Sequence, residues 1–247
     1  LSRKIVQISD CHLFADRQKL GYKQINPAIS LQNVVEEIAD IDAELIIASG
    51  DISGDHSRLS YLHFIEILKH YDLVDNLITL PGNHDLNPYF GEVLGRFDLA
   101  NSPPRQLGNW MIHGLDTRFQ GTKGRHDQQS LQRIVQNIRR ARKLGHVLIS
   151  HHHPIDTNSW MDKHEWLNRE QFLSQISSLE SLQLVIYGHI HTDSTRIIDN
   201  VKFESCPSTC WQWAMTEEFG VTKDPPGYKV FELFDDLSFQ STTFRVT

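Results

Sequence analysis

The sequence predicts a layered α/β domain with a mixed sheet. Three observations predict it. Short apolar runs alternate with stretches of helical periodicity along most of the chain. From Thr195 onward the pattern turns to hairpins alone. The length, 247 residues, is ordinary for one such domain. Hydrophobic residues make up 39% and charged residues 22%, a globular rather than a disordered composition. No repeat, low-complexity tract or clear linker interrupts the chain, so a single domain over residues 1–247 is expected.

The elements follow in order. Lys4–Ser9 reads as a short buried strand. Asn26–Asp40 reads as a helix: Asn26 can cap it, Pro27 suits the first helical position, and Leu31, Val34, Val35 and Ile38 share a face. Leu45–Ser49 is a second buried strand. Ser57–His70 has helical spacing at Leu62, Ile65 and Leu68. Asn76–Leu80 and Trp110–His113 are further strands. Asp127–Leu144 is the clearest helix, capped by Asp127, stopped by Gly145, with Leu131, Ile134, Val135, Ile138 and Ala141 inward. Its basic end, Arg139-Arg140-Ala141-Arg142-Lys143, suits the helix dipole. His146–Ser150 and Leu184–Tyr187 complete the strands of the central part. Asp199-Asn200 and Asp235-Asp236 read as hairpin turns, and Asp224-Pro225-Pro226-Gly227 as the loop before a Tyr228–Phe234 strand. Pro207 to Gly220 fits no regular pattern.

Charge and cysteine usage limit the function classes. The formal charge is −7 and the isoelectric point is near 6.0, which argues against a nonspecific nucleic-acid binder. An anionic substrate stays open, because bound divalent metals would invert the local potential. Cys11, Cys206 and Cys210 form no disulfide framework, and reduced thiols in a cytoplasmic setting are expected. No run of eighteen apolar residues predicts a membrane span and no secretory leader is visible. The chain begins at Leu1, so a short upstream segment is expected to be missing.

Five polar clusters follow five of the strands. They are Asp10-Cys11-His12, Gly50-Asp51, Gly82-Asn83-His84-Asp85, His151-His152-His153-Pro154 and Gly188-His189-Ile190-His191. Ligands bind at the carboxyl edge of strands in open α/β sheets, so the five clusters should converge. Crowding carboxylates and imidazoles there is costly without a cation. Mixed oxygen and imidazole donors suit Mn, Fe or Zn better than Ca, and a carboxylate can bridge two ions. In Asp10-x-His12 and His189-x-His191 an extended chain would aim both residues to one side, and a turned chain could offer them to different ions.

The set D-x-H, G-D, G-N-H-D, H-x-P and G-H-x-H, in that order from Asp10 to His191, resembles the calcineurin-like metallophosphoesterase superfamily. Any one motif is weak; all five in order are specific. The resemblance implies a four-layer α/β/β/α sandwich with a dinuclear site of two divalent or mixed-valence ions, Fe or Mn, with Zn as the third choice. Asp10, His12 and His191 would hold one ion, Asn83, His152 and His189 the other, and Asp51 would bridge. The ligand in the histidine triplet stands two residues before the proline in that family, hence His152, with His151 and His153 as alternatives. Ser159-Trp160-Met161-Asp162, Pro207-Ser208-Thr209-Cys210 with Gln212, and Gly227-Tyr228 are similar to bacterial class III cyclic AMP phosphodiesterases.

The resemblance thus implies hydrolysis of a small phosphodiester, 3′,5′-cyclic AMP before glycerophosphodiesters, dinucleoside polyphosphates or nucleotide-lipid pyrophosphates. Two ions roughly 3.5–4 Å apart clamp a phosphoryl group and generate hydroxide for in-line attack. His12, Asp51, Asn83, His84 and His191 would meet the substrate. His84, not among the ligands, would be the general acid, with Asp85 orienting it. A noncatalytic scaffold is the contrasting reading, but no ligand of the set is missing. Trp160, Trp166, Trp211 and Trp213 could stack a base, or pack on one another. Cys206 and Cys210 lack the Cys or His pair that a zinc site needs.

Overall fold

The computed structural model describes residues 1–247. In chain order the regular elements are β1 (Ser2–Ile8), α1 (Pro27–Ala39), β2 (Leu45–Ala48), α2 (Arg58–His70), β3 (Leu77–Thr79), α3 (Pro88–Leu94), β4 (Arg105–Leu107), β5 (Trp110–Gly114), β6 (Arg118–Gln120) and β7 (Lys123–Gly124). They continue with α4 (Gln128–Arg140), β8 (Gly145–Ile149), α5 (Arg169–Ile176), β9 (Leu182–Tyr187), β10 (Ser194–Ile198), β11 (Val201–Ser205), β12 (Gly227–Phe234) and β13 (Phe239–Arg245). One sheet runs β13-β12-β1-β2-β3 and a second runs β10-β11-β9-β8-β5-β4, with β6-β7 as a separate ribbon. β1, β2 and β3 are parallel, as are β5, β8, β9 and β11. The late strand β12 joins antiparallel to β1, so both sheets are mixed.

Side-chain alternation along the parallel strands builds the layers. Ile5, Leu45 and Ile47 of the first sheet face Ile112, Val147, Ile149, Leu184 and Ile186 of the second, and form the core between the sheets. The intervening Val6, Ile8, Ile46 and Ala48 turn outward onto Leu31, Val34 and Ile38 of α1 and Phe64 and Leu68 of α2. On the far side Leu148 and Val185 meet Leu131, Ile134 and Ile138 of α4 and Phe172 of α5. Strands buried on both faces read as continuous apolar runs, and a period of two sorts them into separate cores. The result is the α/β/β/α sandwich.

Two helix expectations change in detail, and two helices are new. On α2 the inward face is Tyr61, Phe64, Ile67 and Leu68, with Leu62 and Ile65 half-buried: the larger rings take the inner positions. α4 ends at Arg140, where its buried stripe ends at Ile138, and Gly145 already belongs to β8. The short helices α3 and α5 were not legible, because seven and eight residues carry too little periodicity.

Polar groups also cross the layers. Lys229 of β12 is buried and pairs with Glu204 of β11 at 2.8 Å and with Asp193 at 2.6 Å. This clasp ties the two sheets just beyond the His189–His191 turn. A second buried pair lies inside the second sheet: His113 Nε2 and His146 Nδ1 are 2.9 Å apart, and His146 Nε2 donates to the Ala141 carbonyl. Burial, and then the neighbouring His146, push His113 down to about 3; burial lowers His146 as well. Both rings are therefore neutral in the fold, whereas the unfolded chain protonates near 6.5. Their contribution is fully present above the unfolded pKa and is lost as pH falls below it. For His113 the expected loss is roughly 1.4 kcal/mol per pH unit below about 6.5. Urea midpoints measured between pH 7 and 4.5 should fall less steeply in His113→Gln, whose amide can still donate to His146; identical slopes would contradict this.

Candidate metal centre

The five polar clusters sit at the carboxyl ends of β1, β2, β3, β8 and β9, and both sheets end on the same rim. The backbone there is unusual. Of twelve non-glycine residues with positive φ, five are Asp10, His12, Asp51, His189 and His191. Each such residue costs on the order of 1–3 kcal/mol and persists only where its surroundings enforce it. Enforcement comes from Asp10 N donating to Gly50 O at 3.0 Å and His12 N donating to Asp51 O at 3.0 Å. Gly82 is required by close approach: a Cβ there would stand 2.2 Å from Asp51 Oδ1.

Three ligating sets result: Asp10, His12 and His191; His12, Asp51 and His84; and Asp51, His151 and His189, with the donor atoms of each within 4.8 Å of one another. His12 Nε2 and His191 Nε2 are 3.0 Å apart, and His191 Nε2 lies 3.4 Å from Asp10 Oδ1. His151 Nε2 lies 3.4 Å from Asp51 Oδ1 and 3.3 Å from Asn83 Oδ1. The turned backbone keeps Asp10 and His12 in one set but splits His189 from His191 between two. Asp51 belongs to two of the sets.

Outer contacts fix which nitrogen faces the cluster. His151 Nδ1 donates to Ser49 O and His191 Nδ1 to Trp211 O, each at 2.8 Å, so their Nε2 atoms point inward. His189 Nε2 donates to His164 O at 3.2 Å, which leaves its Nδ1 for the cluster. Such carbonyl acceptors commonly orient ligating imidazoles. Burial would raise Asp51, but His151, His84 and His12 beside it hold it well below the usual carboxylate range. Burial would lower His151; Asp51 and Asp10 reverse this and lift it to about 9. Burial, and then the neighbouring imidazoles, push His12 down to about 3 and His189 well below the usual imidazole range, so both offer neutral nitrogens. The mixed donors, shared carboxylate and fixed tautomers fit two divalent ions.

Two sequence expectations are corrected. His152 falls in none of these sets, although its ring lies 4.6 Å from that of His189 and its Nε2 has no partner: its Nδ1 is 2.8 Å from Thr117 Oγ1, and the neighbouring His151 is the triplet's member of a set. His153 also points elsewhere, with Nε2 3.5 Å from Asp162 Oδ1. Asp85 does not orient His84. Its carboxylate accepts from Gly82 N at 2.9 Å, Tyr61 Oη at 2.8 Å and Ser53 N at 3.2 Å, and His84 Nδ1 has no partner. Asp85 therefore braces the loop backbone. His84 instead meets the His12 ring edge-on at 4.8 Å and lies parallel to the exposed His56 at 5.6 Å, while its backbone N donates to Asp51 Oδ1.

The segment Pro207 to Gly220, unreadable in sequence, wraps beneath the cluster. Ser208 Oγ donates to Asp10 O at 2.8 Å, Gln212 holds Ser208 through both amide atoms, and the Trp211 carbonyl accepts the hydrogen bond from His191 Nδ1. Cys206 and Cys210 are fully buried and fall in none of the ligating sets; Cys206 Sγ lies 3.3 Å from Gln7 O, and Cys210 packs in the core of the second sheet. Above the cluster opens a cleft of ≈ 570 Å³ lined by His12, Asp51, Asn83, His84, His189 and His191. A larger cavity of ≈ 880 Å³, near Arg118 and Arg133, contains none of the ligating residues.

The calcineurin-like phosphoesterase family model matches residues 3–193, most of the chain and every cluster. The chain belongs to this family. The phosphoesterase is 28% identical to "3′,5′-cyclic adenosine monophosphate phosphodiesterase CpdA" of Haemophilus influenzae over 251 residues, covering 98% of this chain and 90% of that one. It is 30% identical to the protein of the same name from Pseudomonas aeruginosa over 249 residues, covering 98% and 89%. In fold it is similar to a dimetal phosphatase from Danio rerio, with a TM-score of 0.71 over 99% of both chains at 13% identity. No helix of the phosphoesterase is long and apolar enough to cross a membrane.

Proposed function

We propose that the protein hydrolyses 3′,5′-cyclic AMP to 5′-AMP. The observation that carries this reading is two buried ligating sets, Asp10 with His12 and His191 and Asp51 with His151 and His189, which a third set links through His12 and Asp51 at the floor of an open cleft. Relatives named as 3′,5′-cyclic AMP phosphodiesterases, aligned over nearly the whole chain, support the substrate. So does the Pro207–Gln212 segment, whose contacts brace Asp10 and His191.

Asp10, His12 and His191 would hold one ion, Asn83, His151 and His189 the other, with Asp51 shared. The donor set favours Fe or Mn, and then Zn. Two such ions, when bound, neutralise phosphoryl oxygens and make water nucleophilic near neutral pH. His12, Asp51, Asn83, His84 and His191 line the cleft floor and would surround the cyclic phosphate. Water, giving up one proton to solvent, would add to phosphorus opposite O3′, the P–O3′ bond would break, and His84 would give its proton to the departing oxygen. We infer a cytoplasmic setting, which three free, buried thiols support.

Chromatography of the products tests the reading. Protein reloaded with Mn or Fe should convert 3′,5′-cyclic AMP to 5′-AMP. Release of 3′-AMP would overturn the direction of ring opening. An intact cyclic nucleotide, beside turnover of a linear diester, would overturn the substrate.

A further inference from the structure

The cleft has a wall that the phosphate chemistry does not use. Tyr22, Trp160, Trp211, Trp213 and Phe219 come from three separate stretches of chain and meet on one side of it. They adjoin the ligating residues directly: Trp213 lies 4.5 Å from the His191 ring at 25°, and Trp211 lies 5.4 Å from the His12 ring at 20°. Trp160 is held by its indole N–H, which donates to Ala214 O at 2.9 Å.

Core packing accounts for Trp211 and Trp213, which are buried, but not for the rim. Tyr22 is 48% and Phe219 54% exposed, although their rings are 5.7 Å apart. Scattered single apolar residues at the surface need no explanation, but a contiguous set at a cavity mouth marks a binding surface. The five rings do not stack on one another either. Their interplanar angles run from 52° for Trp211 with Trp213 to 81° for Tyr22 with Trp213. The edge-on contacts hold the rings to one another, and the faces turned to the cleft remain for a flat guest.

The loop that carries Tyr22 is strained. Lys23 and Gln24 hold φ of 55° and 59° in succession, which L-residues rarely adopt. Gly21 lies so close to the Trp211 ring that a Cβ would stand 2.1 Å from it. The backbone is thus pressed onto Trp211, and Tyr22 is carried to the rim of the cleft. Strain maintained beside a reactive centre is a mark of function.

We propose that this aromatic wall binds the heteroaromatic base of a nucleotide whose phosphate sits at the metal centre, with Tyr22 and Phe219 as the specificity-determining rim. The volume suits a nucleotide-sized ligand. Bases stack on aromatic side chains with little dependence on sequence, so the wall selects a planar ring over an aliphatic group and discriminates weakly between bases. This inference rests on the nucleotide reading above for the class of ring, but not on ring opening itself.

Binding tests it independently of turnover. Metal-loaded protein is titrated with adenosine 5′-monophosphate and with ribose 5-phosphate, which lacks the base, and followed by tryptophan fluorescence. The wild type should bind the nucleotide roughly 5- to 150-fold more tightly, the worth of one base–aromatic stack. Tyr22→Ala and Phe219→Ala should bring that ratio towards one, and Tyr22→Phe should keep it. Equal affinities in the wild type, or an undiminished ratio in both alanine variants, would overturn the wall. A wild type that prefers the nucleotide but leaves 3′,5′-cyclic AMP intact supports the wall and removes the reaction. One that opens 3′,5′-cyclic AMP and binds both phosphates equally does the reverse.

Discussion

Asp51→Ala should be the most damaging single substitution, lowering turnover by more than about 10²-fold, the upper range for losing a mere outer-shell partner of a metal. Asp51 is the one carboxylate common to two ligating sets. Its Oδ1 also receives the backbone proton of His84 at 2.8 Å, so its loss frees the acid-bearing loop. Elemental analysis of the variant should find well below two metal ions per chain, against about two in the wild type. Two companions sharpen the result. His151→Ala should lose about one ion, because its Nε2 faces Asp51 and Asn83. His152→Ala should retain both, because its ring is engaged with Thr117. Metal retention in His151→Ala with loss in His152→Ala would restore the assignment made from sequence. Full activity of metal-free wild type would remove the metal mechanism altogether.

The shift from His152 to His151 shows where sequence reading ends. The strands and the polar clusters behind them were legible because apolar runs stop abruptly at Asp, Asn and His, and strand ends of a parallel sheet meet at one rim. A run of three adjacent histidines contains no such signal. Neighbouring residues point to opposite sides, and the choice between them depends on the last pairs of β8 and on the Ser49 carbonyl that accepts from His151. Asp85 failed for a related reason. Adjacency to His84 suggested a pair, but the tight turn at Asn83–Asp85 sends the carboxylate inward, where backbone donors and Tyr61 compete for it. Of the four tryptophans singled out in sequence, Trp160, Trp211 and Trp213 line the cleft and Trp166 is buried against Phe172; the rim residues Tyr22 and Phe219, far apart in the chain, carried no periodic signal.

His84→Ala should cost roughly 10²–10⁴-fold on 3′,5′-cyclic AMP, the usual worth of a positioned acid. The same variant should lose far less on a diester of p-nitrophenol, whose leaving oxygen needs little protonation. The prediction follows from where the ring stands. It lines the cleft, and its edge meets the His12 ring. His84 also falls within one ligating set, with His12 and Asp51, so metal content must accompany the kinetics. About two ions per chain in His84→Ala, with a loss that depends on the leaving group, identifies an acid; loss of an ion identifies a ligand. Asp85→Ala provides the contrast. It removes the brace under the whole loop, so it should slow good and poor leaving groups alike. An equal loss on both substrates in His84→Ala, with metals intact, would mean that the ring only shapes the loop, and the acid would have to be sought elsewhere.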